Sequence, residues 1–283
     1  MGKVKIIADS TCDLSKDLIE KYDITIIPLC IILGDESYFD GENLKPDDIY
    51  DWVGKNGKTP KTAAIPIESA TKTILQFIEQ KKDIIFFGIS EDMSTTCNIM
   101  RLIGEDLNYK RLFVINSENL STGIGLQVLK AAQMAQEGIE AEEIVEEIEK
   151  IRERVSASFV IDTLEYLAKG GRCSSVTALL ASALKIKPMI EVKKGKMGVG
   201  RKYRGSQKKV IQSYVKDLEK DLLTADPAMV FITHSGCDEK TVNEVKDFLI
   251  QLDYFDHIYV TRAGGVISSH CGPNTLGVLF IKK

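Results

Sequence analysis

No stretch of this sequence stays apolar for the ~18 residues that a membrane-spanning helix needs. Its start, MGKVKIIADST, also turns polar too soon for a secretory leader. The expectation is a cytoplasmic protein. Cysteine is sparse: Cys12, Cys30, Cys97, Cys173, Cys237 and Cys271 lie far apart with no CxxC spacing, which excludes a disulfide framework or a zinc cluster as the organising element. There is no GxxxxGK[ST], no HExxH and no EF-hand spacing, so neither a phosphate-binding loop nor a metal site is expected, and no cofactor. A formal net charge of −4 argues against a chain built around nucleic acid. Low-complexity tracts and long linkers are absent as well, so the chain should be folded throughout.

What is present is the material of two α/β domains. The 283 residues, 44% hydrophobic, suffice for two cores at roughly 100 to 200 residues each. Short β-rich runs read as strands at 4–8, 25–33, 83–89 and 111–115, with helical periodicity over 15–21, 67–80, 96–107, 123–136 and 141–154. A second series places strands at 157–161, 188–192, 229–233, 257–260 and 275–281 and helices at 176–184, 206–223 and 239–251. The reading is an N-terminal domain (1–155) with a mainly parallel sheet flanked by helices, and a C-terminal domain (156–283) with a mixed sheet. Glu140 to Glu153 has the pattern of an acidic, solvated helix face, with Ile144, Val145, Ile148 and Ile151 facing inward.

Candidates for catalysis are incomplete. Ser90 follows an apolar strand, but Gly88-Ile89-Ser90-Glu91-Asp92 lacks the second glycine of a nucleophile elbow. Gly123 and Gly125 suggest a dinucleotide loop whose third glycine position is Val128, and a plain helix start explains them better. Three polar spots remain. Thr62 sits in PKTAAIP, Ser94 to Thr96 precede a helix whose free N–H groups favour an anion, and His270 in SSHCGPN reads as a loop residue. Two hydroxyls and an imidazole N–H hold a carboxylate well, because bonds to an ionised acceptor are strong. The alternative is an acyl hydrolase using Ser94 or Ser90 with His270; no orienting carboxylate accompanies that histidine in sequence, so the triad is unfilled.

Taken together, the motifs resemble the DegV family of fatty-acid-binding proteins, which includes the lipid-binding subunits of bacterial fatty acid kinase. The likeness runs through Asp9-Ser10-Thr11-Cys12-Asp13-Leu14, Ile27-Pro28-Leu29, Asp40-Gly41, Pro60-Lys61-Thr62, Ser94-x-Thr96, Ser121-x-Gly123, Leu164-x-x-Leu167-x-x-Gly170-Gly171-Arg172, Lys187-Pro188, Arg204-Gly205, His234 and His270-x-Gly272-Pro273. Ala63, Thr95 and Asn274 depart from the family's usual residues. The resemblance implies a non-catalytic protein that buries a long-chain fatty acid, with its tail in the core of the C-terminal domain. It assigns the carboxylate to Thr62, Ser94, Thr96 and His270, and the docking of an acyl kinase partner to Arg172 and Arg204. The eight basic residues among positions 193–209 suit an exposed hairpin, an acidic partner or a transient contact with an acidic membrane surface.

Overall fold

A computed structural model describes residues 3–180 and 186–283. The first half runs β1 (Val4–Asp9), α1 (Lys16–Lys21), β2 (Thr25–Ile27), β3 (Cys30–Leu33), β4 (Glu36–Phe39), α2 (Pro46–Asn56), β5 (Lys61–Ala63), α3 (Ile67–Glu79), β6 (Asp83–Gly88), α4 (Thr96–Asp106), β7 (Leu112–Asn116), α5 (Thr122–Gln136) and α6 (Ala141–Arg152). The second runs β8 (Val155–Val160), α7 (Glu165–Gly170), α8 (Ser174–Leu180), β9 (Lys187–Lys193), β10 (Lys196–Tyr203), α9 (Gln207–Asp217), α10 (Glu219–Leu222), β11 (Ala225–His234), α11 (Glu239–Gln251), β12 (Ile258–Arg262), α12 (Gly265–Cys271) and β13 (Leu276–Lys282).

This is a two-domain α/β fold. The N-terminal sheet is parallel, in the order β2-β1-β6-β7. Its central strand β6, DIIFFG, is buried along its whole length, as a strand covered on both faces must be. The C-terminal sheet, β10-β9-β8-β13-β11-β12, is mixed, with β11 and β12 parallel and its other pairs antiparallel. Between the sheets lies α5, with ten buried residues and contacts to strands of both. Such a helix has to be apolar almost all round. Its glycines serve packing: a Cβ on Gly125 would meet the Cys12 carbonyl at 2.9 Å, and one on Gly123 would collide with Asn119.

Several expected elements change on folding. The run 25–33 is two strands in two sheets, because Pro28 lacks the N–H that a continuous ladder requires; β3 joins β4 and β5 in a small antiparallel sheet. The helix expected over 206–223 divides into α9 and α10. That expected over 176–184 is seen as α8, and its continuation beyond Leu180 lies outside the described residues. Residues 193–209 include a hairpin arm, β10 antiparallel to β9, that is half-buried along most of its length.

His270, expected in a loop, lies on the short helix α12. GVISSHC carries no helical apolar period, and the helix is started by side chains from the other half of the chain. The Gly264 N–H donates to Asp13 Oδ1 at 2.8 Å and the Gly265 N–H to Asp40 Oδ1 at 2.6 Å. Both carboxylates are buried and meet the positive end of the helix. They are themselves held by Ser121 Oγ (2.6 Å, to Asp13) and Ser10 Oγ (2.9 Å, to Asp40). Gly265 is required here, since a Cβ would approach Ile31 Cδ1 to 2.5 Å. Val266 then packs in the core of the N-terminal sheet, whereas Ile267 joins the core between the sheets. Asp40→Ala leaves the Gly265 N–H buried without an acceptor, so urea titration at neutral pH should show about 2 kcal/mol less stability than the native chain; an unchanged midpoint would remove Asp40 from this role.

Candidate functional site

The carboxyl ends of β1 and β6 open toward α12, where an open α/β sheet offers its crevice. A cavity of about 530 Å³ lies there, and both halves of the chain contribute to its wall. Thr62 comes from β5, in register with Ile31 of β3. Ser94 comes from the loop between β6 and α4, and Val266, Ile267, His270 and Cys271 from α12. The remaining wall is largely apolar, including Leu29, Ile89, Leu120, Leu167 and Met197.

Polarity is graded across the cavity. Thr62 and Ser94 are half-buried, next to exposed Lys61, Ala63 and Thr95, whereas Leu120, Leu167 and Cys271 are buried. Beyond Leu120, Ile267 and Cys271, a smaller pocket shares those three residues and continues to Phe159, Gly277 and Leu279 of the C-terminal sheet. The apolar wall is thus shared between the halves, and its far end lies in the core between the two sheets, not in the separate core of the C-terminal domain expected for the tail.

The polar end is built from hydroxyls and one imidazole. Thr62 Oγ1 and His270 Nε2 are 2.8 Å apart, joining the small sheet to α12. Ser94 Oγ lies 3.0 Å from Thr96 Oγ1 and accepts the Thr96 N–H at 3.3 Å. Ser94 therefore caps α4, from the position before the Thr95 N-cap, whose own side chain makes no capping bond. Thr96 is fully buried behind it and braces Ser94 without lining the cavity. Burial, with help from the charge of Arg172, lowers the His270 pKa to about 4, so the imidazole is neutral near pH 7. Its Nδ1 is buried with no hydrogen-bond partner.

The two arginines are placed differently. Arg172 lines the cavity, with Nη1 donating to the Gly170 carbonyl at 2.7 Å and Nε reaching toward the Met93 carbonyl at 3.5 Å. Arg204 is exposed just past β10 and does not line the cavity. The acidic residues of the wall are neutralised, Glu91 by Arg101 at 2.6 Å and Asp92 by Lys196 at 3.5 Å. Ser90 is fully buried and donates to the Gly195 carbonyl at 2.7 Å, the reverse of an exposed nucleophile. Among the described residues, no group of three or more His, Cys, Asp or Glu is placed to hold a metal ion.

The sequence named Thr62, Ser94 and His270 as candidates, which the fold brings to one cavity, and missed what holds α12. The Asp13 and Asp40 contacts to α12 span 251 and 225 positions, and no local pattern announces such pairs. The only signal was the family-like motifs in which both aspartates sit.

The model of the DegV family matches residues 3–283. A DegV domain-containing protein of Clostridium perfringens is 31% identical over 283 residues, covering 100% of both chains. The chain belongs to the DegV family. Among solved structures, a DegV family protein from Thermus thermophilus, described as binding fatty acid, superimposes with a TM-score of 0.91 at 26% identity, covering 99% of this chain and 100% of that one. A stearic-acid-binding protein from Eubacterium ventriosum gives a TM-score of 0.84 at 28% identity, covering 100% of this chain and 99% of that one.

The depressed His270 pKa has a direct consequence for this DegV chain. Protonation is disfavoured in the folded state, so the stability associated with a neutral imidazole is fully present above pH 6.5 and is lost as pH falls toward 4. Between 6.5 and about 4 that amounts to about 3 kcal/mol. Comparing delipidated native protein with His270→Gln by chemical denaturation across this window should show the native chain losing its relative advantage by that order. A pH-independent difference would mean that His270 titrates normally.

Proposed function

We propose that this chain binds a long-chain fatty acid and presents its carboxylate to an acyl kinase partner, itself catalysing nothing. The observation that carries the reading is the hydrogen-bonded Thr62–His270 pair at the polar end of a cavity that is otherwise largely apolar. The resemblance to fatty-acid-binding DegV structures points the same way. In this reading Thr62, Ser94 and His270 hold the carboxylate, and Thr96 fixes the Ser94 hydroxyl. The tail runs past Leu120, Ile267 and Cys271 toward Phe159 and Leu279. Each buried CH₂ contributes about 0.8 kcal/mol, so the tail supplies most of the affinity and the head group sets its orientation. A neutral imidazole suits the task, because it offers a hydrogen bond without a second buried charge to desolvate.

Phosphorylation then needs a second protein, since no phosphate-binding motif is present in the sequence. The half-buried hydroxyls leave the carboxylate reachable, with Arg172 beside it to meet developing negative charge and exposed Arg204 to meet the partner. Cytoplasmic placement, and a brief contact of the basic hairpin with an acidic membrane surface while the lipid loads, belong to the same proposal. No helix among the described residues is long and apolar enough to cross a membrane.

Protein purified from a bacterial host should release fatty acid on solvent extraction, detected by mass spectrometry. A chain that arrives empty and takes up no added oleate would sink the reading. Thr62→Val should weaken oleate binding by roughly 10- to 100-fold, the value of one bond to a charged acceptor. Arg204→Ala should keep native affinity for oleate while slowing phosphate transfer by a fatty acid kinase; equal transfer rates would take Arg204 out of the docking surface.

A further inference from the structure

Two short helices meet at the polar end of the cavity, and the side chain at their crossing is His270. Its ring is bracketed on two sides. Nε2 faces Thr62 at 2.8 Å, while Nδ1 faces the α-carbon of Gly170, the last residue of α7. A Cβ on Gly170 would stand within 3.0 Å of Nδ1, 3.2 Å from Cε1 and 3.4 Å from Cγ. It would therefore press on one whole edge of the imidazole. The ring has little room to yield, because α12 is fixed at its start by Asp13 and Asp40. At its end, Gly272 abuts the Tyr166 ring of α7, where an added Cβ would come to 2.7 Å. The carbonyl of Gly170 meanwhile accepts the Arg172 guanidinium at 2.7 Å.

We propose that Gly170 is the positioning residue of this cavity: its bare α-carbon admits the His270 imidazole to the Thr62 hydroxyl, and its carbonyl holds the Arg172 guanidinium beside the same site. The proposal rests on the reading that the cavity takes a fatty-acid carboxylate. Backbone conformation gives glycine no reason to be here, since the positive φ that favours it belongs to the next residue, Gly171, at 69°. Within a helix alanine is the better former, so helix propensity and ring clearance make opposite demands at position 170. Gly171 is the reverse case: its dihedral is strained for any side chain, and nothing lies within 4 Å of where a Cβ would be.

That opposition gives a crossed test on the delipidated full-length chain with oleate as the probe. Gly170→Ala should bind oleate at least tenfold more weakly than the native chain. Gly171→Ala should melt earlier and bind as the native chain does. The chain has three histidines, so ¹³C-histidine labelling reads the ring directly: Gly170→Ala should shift the His270 signal and leave those of His234 and His257 in place. An oleate affinity within twofold of native together with an unmoved His270 signal would overturn the proposal. If Gly170→Ala does not fold, adding His270→Ala should restore folding, and failure to do so would show that the imidazole is not what the methyl group strikes. If the native chain takes up no oleate, the carboxylate reading falls by itself, and the His270 signal alone decides whether Gly170 positions the ring.

Discussion

The seating of α12 on two buried carboxylates is the interaction on which the rest of this structure depends. Asp13 and Asp40 belong to the N-terminal half and Gly264 and Gly265 to the C-terminal half, and each aspartate accepts a backbone N–H across the join. The arrangement has a penalty. Burial pushes Asp13 and Asp40 above the usual carboxylate range and Asp9, close behind them, up to about 6. Each raised carboxyl favours its proton, so each contributes stability at low pH that is lost as pH rises through its folded-state value. The helix N–H groups and the Ser10 and Ser121 hydroxyls offset part of that loss near neutrality. Without the pair, Val266 has no fixed place in the N-terminal core and His270 no fixed distance from Thr62.

A single short helix therefore does three things with seven residues. Val266 and Ile267 fill two different cores, His270 supplies the only imidazole of the cavity, and Cys271 forms part of the wall between the cavity and the smaller pocket. The burial that α12 imposes is also what keeps His270 neutral. The cavity accordingly joins one hydrogen-bonding end to a largely apolar remainder.

Legibility from sequence followed the range of the forces involved. β6 was plain because DIIFFG is apolar without interruption, and α6 because Ile144, Ile148 and Ile151 recur at helical spacing on an acidic background. The break at Pro28 was written in the sequence as well, but the apolar residues on both sides of it masked the division into β2 and β3. α12 was not legible, since it is stabilised by partners more than 200 positions away, and GVISSHC alone has no preference that would produce a helix. The candidate residues themselves were found as polar exceptions beside strand and helix ends and through family resemblance. Gly170 and Gly272 entered only as letters of family-like motifs, because an absent side chain leaves no chemical signature of what it lies against.

The position of α12 along the chain has a consequence for biosynthesis. Synthesis runs from the N-terminus, so the parallel sheet, Asp13 and Asp40 all emerge long before Gly264 and Gly265. Until then the two carboxylates lack their backbone donors, and the place where Gly265 approaches Ile31 and Ile49 is unfilled. The N-terminal half thus depends on α12, made more than 200 positions later, for the donors to Asp13 and Asp40. Val266, Ile267, His270 and Cys271 join the cavity wall only once α12 has been made.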